Sequence, residues 1–275
     1  MSLHVDRYDY AGTSRGGAPL LLIHGWGMHG GMWANIAEQL AQHFRVFAVD
    51  LPGHGCSTAR IEDRGLRIEE KKPHFTLDTI VDELSARFTE PLAICGWSLG
   101  GQIALHWAMR QPQQVSRLVL VSSTPCFVQQ TGWPCAMAAE TLMEFDVALR
   151  QNHAQTLRRF LALQVRGGEQ ERELLSTLRS RLFSRGEPDL HALQGGLEIL
   201  RECDLRGTLP LIQQATLVIA GERDTLTPLP AAQYLASHLP NAHLATIRGA
   251  AHAPFLSHPN EFLECVVSFL SETRA

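Results

Sequence analysis

The 275-residue chain lacks the cysteine and histidine patterns that mark disulfide-stabilised and metal-binding proteins. Its six cysteines are scattered and form no C-x-x-C pair, which favours free thiols in a reducing cytoplasm over disulfides or a metal site. None of its 13 histidines stands in an H-E-x-x-H or similar spacing. We therefore expect no metal and no cofactor.

Long apolar runs and a strong charge of either sign are missing as well. No apolar run approaches the roughly 20 residues that a membrane span needs, and no basic segment followed by an apolar stretch marks a secretory signal. The formal net charge of −4 gives no reason to expect a nucleic-acid partner. A hydrophobic content of 45% is that of a globular protein with a sizeable core. We also expect a cytoplasmic monomer that binds neither a membrane nor nucleic acid.

Short apolar runs alternate with helical patterns along most of the chain, which predicts an α/β fold with a mostly parallel central sheet flanked by helices. The predicted strands span residues 20–23, 45–49, 91–95, 118–121, 217–220 and 243–247. The predicted core helices span residues 31–42, 76–88, 101–110, 230–239 and 259–271.

The alternation stops between residues 124 and 209, where no strand-like run occurs. Amphipathic patterns there predict helices over 135–150, 154–164, 170–183 and 190–200. Because a helical block between two core strands is typical of a lid, we predict a core of residues 1–123 and 210–275 and an all-helical lid of residues 124–209. Residues 56–74 are charged and predict a surface loop.

The most informative segment is Gly96-Trp97-Ser98-Leu99-Gly100. It matches G-x-S-x-G, the nucleophile elbow of the α/β-hydrolase fold, and it lies between a predicted strand and a predicted helix. On such a turn the serine hydroxyl is exposed, and the helix start supplies free N–H groups for an oxyanion. The sequence therefore predicts an α/β-hydrolase fold with Ser98 as the nucleophile.

A serine hydroxyl is a poor nucleophile unless a histidine takes its proton and a carboxylate orients that histidine. In this fold the acid and then the histidine follow the serine along the chain. Asp224 follows the next-to-last predicted strand, and we prefer it to Glu222, which lies nearer the strand end. His252 lies in a small-residue loop after the last strand, and we prefer it to His258, which begins a helix. Asp204 is expected to be a cap or tether.

Acyl transfer also needs hydrogen-bond donors for the oxyanion. We expect the backbone N–H of Leu99, directly after the nucleophile, and that of Trp26 in the loop after an early strand. The Trp26 side chain would roof the acyl pocket, with a core tryptophan as the open alternative. His24 and Asp50 are expected to hold loops.

Several stretches of the chain resemble the BioH-type esterases of biotin synthesis. These stretches are Gly25-Trp26-Gly27, Asp50-Leu51-Pro52-Gly53, Gly96-Trp97-Ser98-Leu99-Gly100-Gly101, Arg159-Phe160-Leu161-Ala162-Leu163-Gln164, Gly195-Gly196-Leu197-Glu198-Ile199-Leu200 and Ala250-Ala251-His252-Ala253-Pro254-Phe255. The two stretches in the helical insertion are the specific ones, because lids vary most between subfamilies. The resemblance covers nearly the whole chain and implies hydrolysis of the methyl ester of pimeloyl-acyl-carrier protein to methanol and pimeloyl-acyl-carrier protein, without a cofactor.

The resemblance also implies which residues contact the substrate. They are Trp26, Ser98, Leu99, Phe160, Leu161, Ala162, Leu163, Gln164 and His252. The chain departs from the family at residues 57–74, which look longer than the family's loop and could alter how a large partner approaches.

Residues 150–185 carry eight arginines and three glutamates, so the insertion is locally basic. Carrier proteins are acidic, and a basic surface would steer one toward the site. The candidate docking residues for acyl-carrier protein bearing a pimeloyl methyl ester are Arg159, Arg172 and Arg179. The alternative is an ordinary solvated helix face.

The sequence thus predicts a serine carboxylesterase. Two other hypotheses stay open: a broad-specificity short-chain carboxylesterase or carbon–carbon bond hydrolase of the same fold, and a non-catalytic small-molecule receptor. Dehalogenases and epoxide hydrolases are excluded, because their nucleophile is an aspartate where this chain has Ser98.

Overall fold

One sheet forms the centre of the computed structural model, which describes residues 3–9, 18–57 and 75–272. Its strands are β1 (Val5–Tyr8), β2 (Pro19–Ile23), β3 (Arg45–Val49), β4 (Leu92–Trp97), β5 (Val115–Val121), β6 (Ala215–Gly221) and β7 (Ala242–Ile247). Their order across the sheet is β1-β3-β2-β4-β5-β6-β7, and β1 alone among these strands runs antiparallel to its neighbour. The predicted, mostly parallel sheet is confirmed.

Strand β1 is absent from the sequence-based prediction. It has only four residues, and it lies at the sheet edge, where its side chains are half-buried or exposed. Val5 pairs with Val49 at one end of the ladder and Tyr8 with Val46 at the other. A short, partly polar edge strand has neither the apolar run nor the clear alternation on which the prediction depends.

The interior strands bury their side chains on both faces of the sheet. Every residue of β4 is buried, as are Leu20 to Ile23 of β2. This pattern is expected of parallel strands covered on both sides, and it explains why continuous apolar runs predicted them correctly. Because β4, β6 and β7 are parallel, their carboxyl ends meet at the same edge of the sheet.

Five of the six core helices in the described residues match the prediction to within a few residues. The six are α1 (Ala34–Leu40), α2 (Leu77–Arg87), α3 (Leu99–Arg110), α8 (Leu229–His238), α9 (Pro254–Ser257) and α10 (Pro259–Ser271), with α4 to α7 in the insertion. Thr76 caps α2, accepting a hydrogen bond from Thr79 N at 3.2 Å. The helix predicted over 31–42 begins instead with a 3₁₀ turn, Gly30–Trp33. The short helix α9 was not predicted.

The insertion between β5 and β6 contains α4 (Ala139–Gln151), α5 (His153–Val165), α6 (Glu171–Leu182) and α7 (Leu190–Glu202), and no strand lies among residues 124–209, all of which are described. The predicted start of α4 at residue 135 is wrong. Residues 127–137 form an irregular turn, in which Gln129 N donates to Met137 O at 2.8 Å and Met137 N to Phe127 O at 3.0 Å. The boundaries of core and lid remain a prediction.

Two further predictions from the sequence concern membrane-spanning helices and the charged loop. In the described ranges, no helix is long and apolar enough to cross a membrane. The charged loop predicted over 56–74 lies outside the described residues except for Cys56 and Ser57. Cys56 is exposed, and Ser57 is buried with its hydroxyl donating to Asp50 O at 2.6 Å.

Candidate active site

The turn between β4 and α3 holds Ser98 in a strained backbone conformation. Its φ of 56° lies in the left-handed region, which costs a non-glycine residue about 1–3 kcal/mol. Ser98 N donates to Val121 O at 2.9 Å, and Ser98 O accepts from Gly101 N and Ser123 Oγ, both at 2.9 Å. The surrounding structure therefore fixes the backbone on both sides of a side chain that is 7% exposed.

Two glycines let the strand and the helix of this turn approach closely. A Cβ at Gly96 would lie 2.3 Å from Gly100 O, and a Cβ at Gly100 would lie 2.4 Å from Ile23 O. Both contacts are with backbone atoms, which cannot move aside as a flexible side chain can. A side chain at Gly96 would therefore separate β4 from α3, and one at Gly100 would separate α3 from the neighbouring strand β2. Either change would displace Ser98.

His252 and Asp224 meet at the carboxyl edge of the sheet, where the loops after β7 and β6 converge. His252 Nδ1 lies 2.9 Å from Asp224 Oδ2, and both side chains are buried. Burial alone would raise the pKa of Asp224. The nearby His252 and hydrogen bonds from His252 and Thr227 outweigh burial and hold this pKa below its usual value. Asp224 is therefore an ionised acceptor that orients the imidazole.

The second ring nitrogen of His252 is available for proton transfer. Because Nδ1 donates to the Asp224 carboxylate, the neutral ring carries its lone pair on Nε2. Nε2 is buried and has no hydrogen-bond partner among the described residues. The structure contains no hydrogen bond between this atom and Ser98 Oγ, and in a free enzyme such a contact commonly forms only with substrate bound.

The rival residues have other partners. Glu222 Oε2 accepts from Gly249 N at 3.0 Å, which holds the loop before His252. His258 Nδ1 lies 2.8 Å from Ser257 Oγ at the start of α10. Asp204 accepts from Arg206 Nη2 at 2.7 Å, as expected of a tether. None of these three side chains bonds to His252.

The loop after β2 orients the peptide group between Gly25 and Trp26. Gly25 O accepts from His24 Nδ1 at 2.8 Å, and Leu51 N donates to His24 Nε2 at 3.0 Å. Burial lowers the pKa of His24 well below its usual value, so the ring is neutral and holds the loop. Neither Trp26 N nor Leu99 N donates to an acceptor in the described parts of the chain. These are the two N–H groups predicted for the oxyanion.

The Trp26 side chain connects this loop to the insertion. Its Nε1 donates to Leu193 O of α7 at 2.8 Å, and its ring packs edge-on against Phe160 of α5, with centroids 4.9 Å apart. A Cβ at Gly196 would lie 2.6 Å from Trp26 Cδ1 and 3.6 Å from Leu99 Cδ2. Helix α7 therefore covers both predicted oxyanion residues at close range.

The predicted substrate segment Phe160 to Gln164 lies on α5 and reaches the histidine loop. Gln164 O accepts from His252 N at 3.0 Å, and Gln164 Oε1 is buried without a partner in the described structure. Phe160 and Leu161 are buried, while Ala162 and Leu163 are half-buried. The segment is thus apolar with one unsatisfied acceptor, and its contact with substrate stays a prediction.

The basic insertion divides into exposed and inward-facing arginines. Arg159, Arg172 and Arg179 are exposed and form no ion pair among the described residues. Arg150 pairs with Asp146 on its own helix. Arg185 instead faces the core, where it donates to Asp50 and Asp6. The surface charge is therefore smaller than the count of arginines predicts.

Asp50 holds loops, as expected. It also belongs to the one group of three possible metal ligands among the described residues. The ligand atoms of His4, Asp50 and Cys56 lie within 4.8 Å of one another. Both Asp50 oxygens accept from Arg185, and they also accept from Gly30 N and Cys56 N. A guanidinium already bound to this carboxylate makes the group unsuitable for a second cation.

Three residues of the site were missed from the sequence. Ser123 donates to Ser98 O, Trp97 Nε1 donates to His252 O at 2.8 Å, and the Thr227 hydroxyl donates to Asp224 Oδ2 at 2.7 Å. Only Thr227 carried a signal, because an aspartate in a loop commonly closes a turn with its side chain on the backbone that follows, where Thr227 lies. The other two contacts join segments far apart in the chain.

Comparison with known proteins places the chain among hydrolases. A family model described as alpha/beta hydrolase fold matches residues 18–259. A pimeloyl-[acyl-carrier protein] methyl ester esterase from Nitrosomonas europaea is 41% identical over 265 residues, which cover 96% of this chain and 98% of that protein. A protein of the same name from Chromobacterium violaceum is 42% identical over 259 residues, which cover 94% and 96%.

Solved structures show the same fold at lower sequence identity. An esterase from Exiguobacterium antarcticum has a TM-score of 0.83 at 22% identity, with 98% of this chain and 96% of that chain covered. An enol-lactonase from Burkholderia xenovorans has a TM-score of 0.81 at 22% identity, with the same coverage. The predicted fold class is confirmed.

Proposed function

The chain belongs to the α/β-hydrolase family and, within it, to the pimeloyl-[acyl-carrier protein] methyl ester esterases, and on this premise we propose its reaction. It is a serine carboxylesterase that hydrolyses the methyl ester of pimeloyl-acyl-carrier protein to methanol and pimeloyl-acyl-carrier protein in biotin synthesis. The observation that carries the proposal is the strained Ser98 turn at the sheet edge where His252 and Asp224 form a buried pair. The protein acts as a cytoplasmic monomer, and its six free cysteines fit a reducing compartment.

Acylation begins with attack of Ser98 Oγ on the ester carbonyl carbon. His252 Nε2 takes the hydroxyl proton, and Asp224 stabilises the imidazolium that results. The N–H groups of Trp26 and Leu99 donate to the oxyanion, which is the charge that develops in the transition state. The imidazolium then protonates the leaving methoxide, so methanol departs and an acyl-serine remains.

Deacylation repeats these steps with water in place of the serine hydroxyl. His252 Nε2 takes a proton from water, and the hydroxide attacks the acyl carbon of Ser98. The oxyanion again accepts from Trp26 N and Leu99 N. Collapse returns the proton to Ser98 Oγ and releases pimeloyl-acyl-carrier protein with a free carboxylate. Every proton moves through His252, and the reaction needs no cofactor.

The lid supplies an apolar wall for the acyl chain. Phe160 packs against Trp26, and Leu161 and Leu163 follow it on the same helix. A methylene chain placed against these side chains leaves water, which contributes about 0.8 kcal/mol for each buried CH₂. Binding energy from the chain, remote from the ester, thus helps to position the carbonyl carbon at Ser98.

The exposed arginines of the lid receive the carrier protein. Arg172 and Arg179 are seven residues apart and therefore share one face of α6, and Arg159 is exposed on the adjacent helix α5. None of the three is neutralised by an acid among the described residues. An acidic carrier would approach this surface faster than a neutral one, with the acceleration greatest at low salt.

A genetic test with a matched control decides the proposal. The native gene should restore growth without biotin to a strain that lacks the pathway esterase, and Ser98→Ala should not. Ser237→Ala is the control, because Ser237 is an exposed serine on α8 that bonds only to neighbouring residues. Growth supported by Ser98→Ala would overturn the mechanism.

An assay in vitro separates the proposed substrate from the alternatives. The purified protein should hydrolyse carrier-bound pimeloyl methyl ester in preference to short nitrophenyl esters and to vinylogous diketones. Equal turnover of short esters would indicate a broad carboxylesterase, and cleavage of the diketone would indicate a carbon–carbon bond hydrolase. Ligand binding without turnover of any of these would indicate a receptor.

A further inference from the structure

We infer that Thr227 is a positioning residue for the reaction, because its hydroxyl holds the Asp224 carboxylate against His252. The inference rests on the proposed function, since it assigns a role within the same site. Thr227 is buried in the loop after β6, three residues beyond Asp224. Its Oγ1 lies 2.7 Å from Asp224 Oδ2 and 3.4 Å from His252 Nδ1.

The Asp224 carboxylate accepts four hydrogen bonds, two on each oxygen. Oδ1 accepts from Leu226 N at 2.9 Å and from Thr227 N at 3.0 Å. Oδ2 accepts from Thr227 Oγ1 at 2.7 Å and from His252 Nδ1 at 2.9 Å. The oxygen that bonds the histidine is therefore also the oxygen that the threonine hydroxyl holds.

The direction of these bonds follows from the donors and acceptors present. An ionised carboxylate can only accept, so the single hydroxyl proton of Thr227 points at Asp224 Oδ2. The lone pairs of Thr227 Oγ1 are then turned partly toward His252 Nδ1–H. Thr227, Asp224 and His252 form a closed group of three, in which rotation of the carboxylate breaks the hydroxyl bond and the imidazole bond together.

The charged side chains near Asp224 and His252 have other partners. The effect of removing the Thr227 hydroxyl can therefore be measured separately from theirs. Glu222 accepts from Gly249 N, and Arg223 pairs with Glu169. The elements that pack on His252 present neutral groups to its backbone, namely Trp97 Nε1 and Gln164 O. Of the interactions that lower the pKa of Asp224, the largest come from His252, and the hydrogen bonds from Thr227 follow.

Loss of the hydroxyl has two consequences for catalysis. Asp224 Oδ2 would keep only the imidazole as a donor, while Oδ1 keeps its two backbone donors. The oxygen that bonds His252 would therefore be held less firmly, and so would the imidazole that faces Ser98. The negative charge that the hydroxyl had shared would act on His252 alone, which favours the imidazolium over the neutral ring. A purely structural role for Thr227 predicts neither change.

Three variants test the inference on a soluble short-chain ester. Thr227→Val should lower kcat by about tenfold, which corresponds to about 1.4 kcal/mol, with little change in KM. It should also move the acid limb of the kcat/KM profile upward by roughly half a pH unit. Thr227→Ser keeps the hydroxyl and should stay within about twofold of wild type. Thr216→Val removes an equally buried hydroxyl, bonded to Gln214 O, and should leave the profile unmoved.

A measurement without turnover separates failure of this inference from failure of the proposed function. In a Ser98→Ala background, proton NMR should show a different chemical shift for the His252 Nδ1 proton, which is bonded to Asp224, in Thr227→Val than in Thr227→Ser, whether or not the protein is an esterase. An unchanged chemical shift of this proton together with an unchanged pH profile would overturn the role of Thr227. Equal losses of kcat in the valine and serine variants would do the same. If Thr227→Val does not fold, Thr227→Ala provides the same comparison.

Discussion

We expect Arg185→Met to destabilise the protein by detaching part of the helical insertion from the strands β1 and β3. Arg185 lies after α6, and its guanidinium donates to both oxygens of Asp50 at 3.2 Å and to Asp6 at 2.5 Å. Asp6 is on β1 and Asp50 directly follows β3, so one side chain joins the lid to two segments of the core. Asp50 is fully buried, whereas the Arg185 side chain is 19% exposed.

The magnitude follows from what Asp50 keeps after the arginine is removed. Loss of one partner of a buried ion pair costs about 3–5 kcal/mol, because a buried charge is left uncompensated. Asp50 would still accept from Gly30 N at 2.6 Å and Cys56 N at 2.8 Å, and Arg185 is partly solvated, so we expect about 2–3 kcal/mol. For a chain of this length that loss lowers Tm by roughly 5–10 °C.

Urea denaturation and thermal melting of Arg185→Met measure this loss, and Arg150→Met is the matched control. Arg150 also donates to an aspartate, Asp146, but the pair lies on the surface of one helix, and its loss should cost about 0.5 kcal/mol or less. Limited proteolysis should cut the lid of Arg185→Met faster than that of the control. Equal stability of the two variants would refute the reasoning from burial.

Two further measurements test charge and pH. Three substitutions reverse the charge of the exposed arginines: Arg159→Glu, Arg172→Glu and Arg179→Glu. They should slow turnover of carrier-bound ester several-fold at low salt and leave turnover of a small soluble ester nearly unaffected. Equal loss on both substrates would refute docking at these arginines. Burial lowers the pKa of His54 to about 4, so the unfolded chain takes up a proton below about pH 6.5 while the folded chain does not. Stability should therefore fall on acidification, with His54 contributing about 2 kcal/mol of the loss at about pH 5. The free energy of unfolding, measured by denaturation at about pH 7 and at about pH 5, should fall less for His54→Asn than for wild type. The control His43→Asn, at an exposed site, should behave as wild type does. Equal losses in all three proteins would contradict this account.

Local residue patterns predicted most of the strands and helices. They failed where contacts with other segments, rather than the residues themselves, determine the local structure. Strands β2, β4 and β6 are apolar runs buried on both faces for nearly their whole length, so their composition reveals them. Strand β1 was missed because its pairing with β3, rather than its own residues, makes it a strand. The start of α4 was misplaced because residues 127–137 satisfy their backbone groups within an irregular turn.

The chemistry of the candidate site could be proposed from chain order alone. Ser98 lies in a motif whose spacing is a steric requirement, and the fold's order of elements then leaves few choices for Asp224 and His252. Arg185 shows the limit of reasoning from the sequence. Counting charged residues placed this arginine on a basic surface, whereas the structure places it against Asp50. A charge count does not reveal which side of a helix end faces the core.

The sequence by itself determined the reaction type, because the elbow and the order of acid and base are local or sequential properties of the chain. It also determined the family, through similarity that extends over nearly the whole chain. Only the tertiary structure decided which groups support the reacting atoms. The bond of Gln164 O to His252 N and the cover of Trp26 by α7 join segments far apart in the chain. The Thr227 hydroxyl lies close to Asp224 in the chain, but it bears on His252 only because the loops after β6 and β7 meet. Such meetings are set by the packing of the helical insertion and the loops at the sheet edge, which no local pattern encodes.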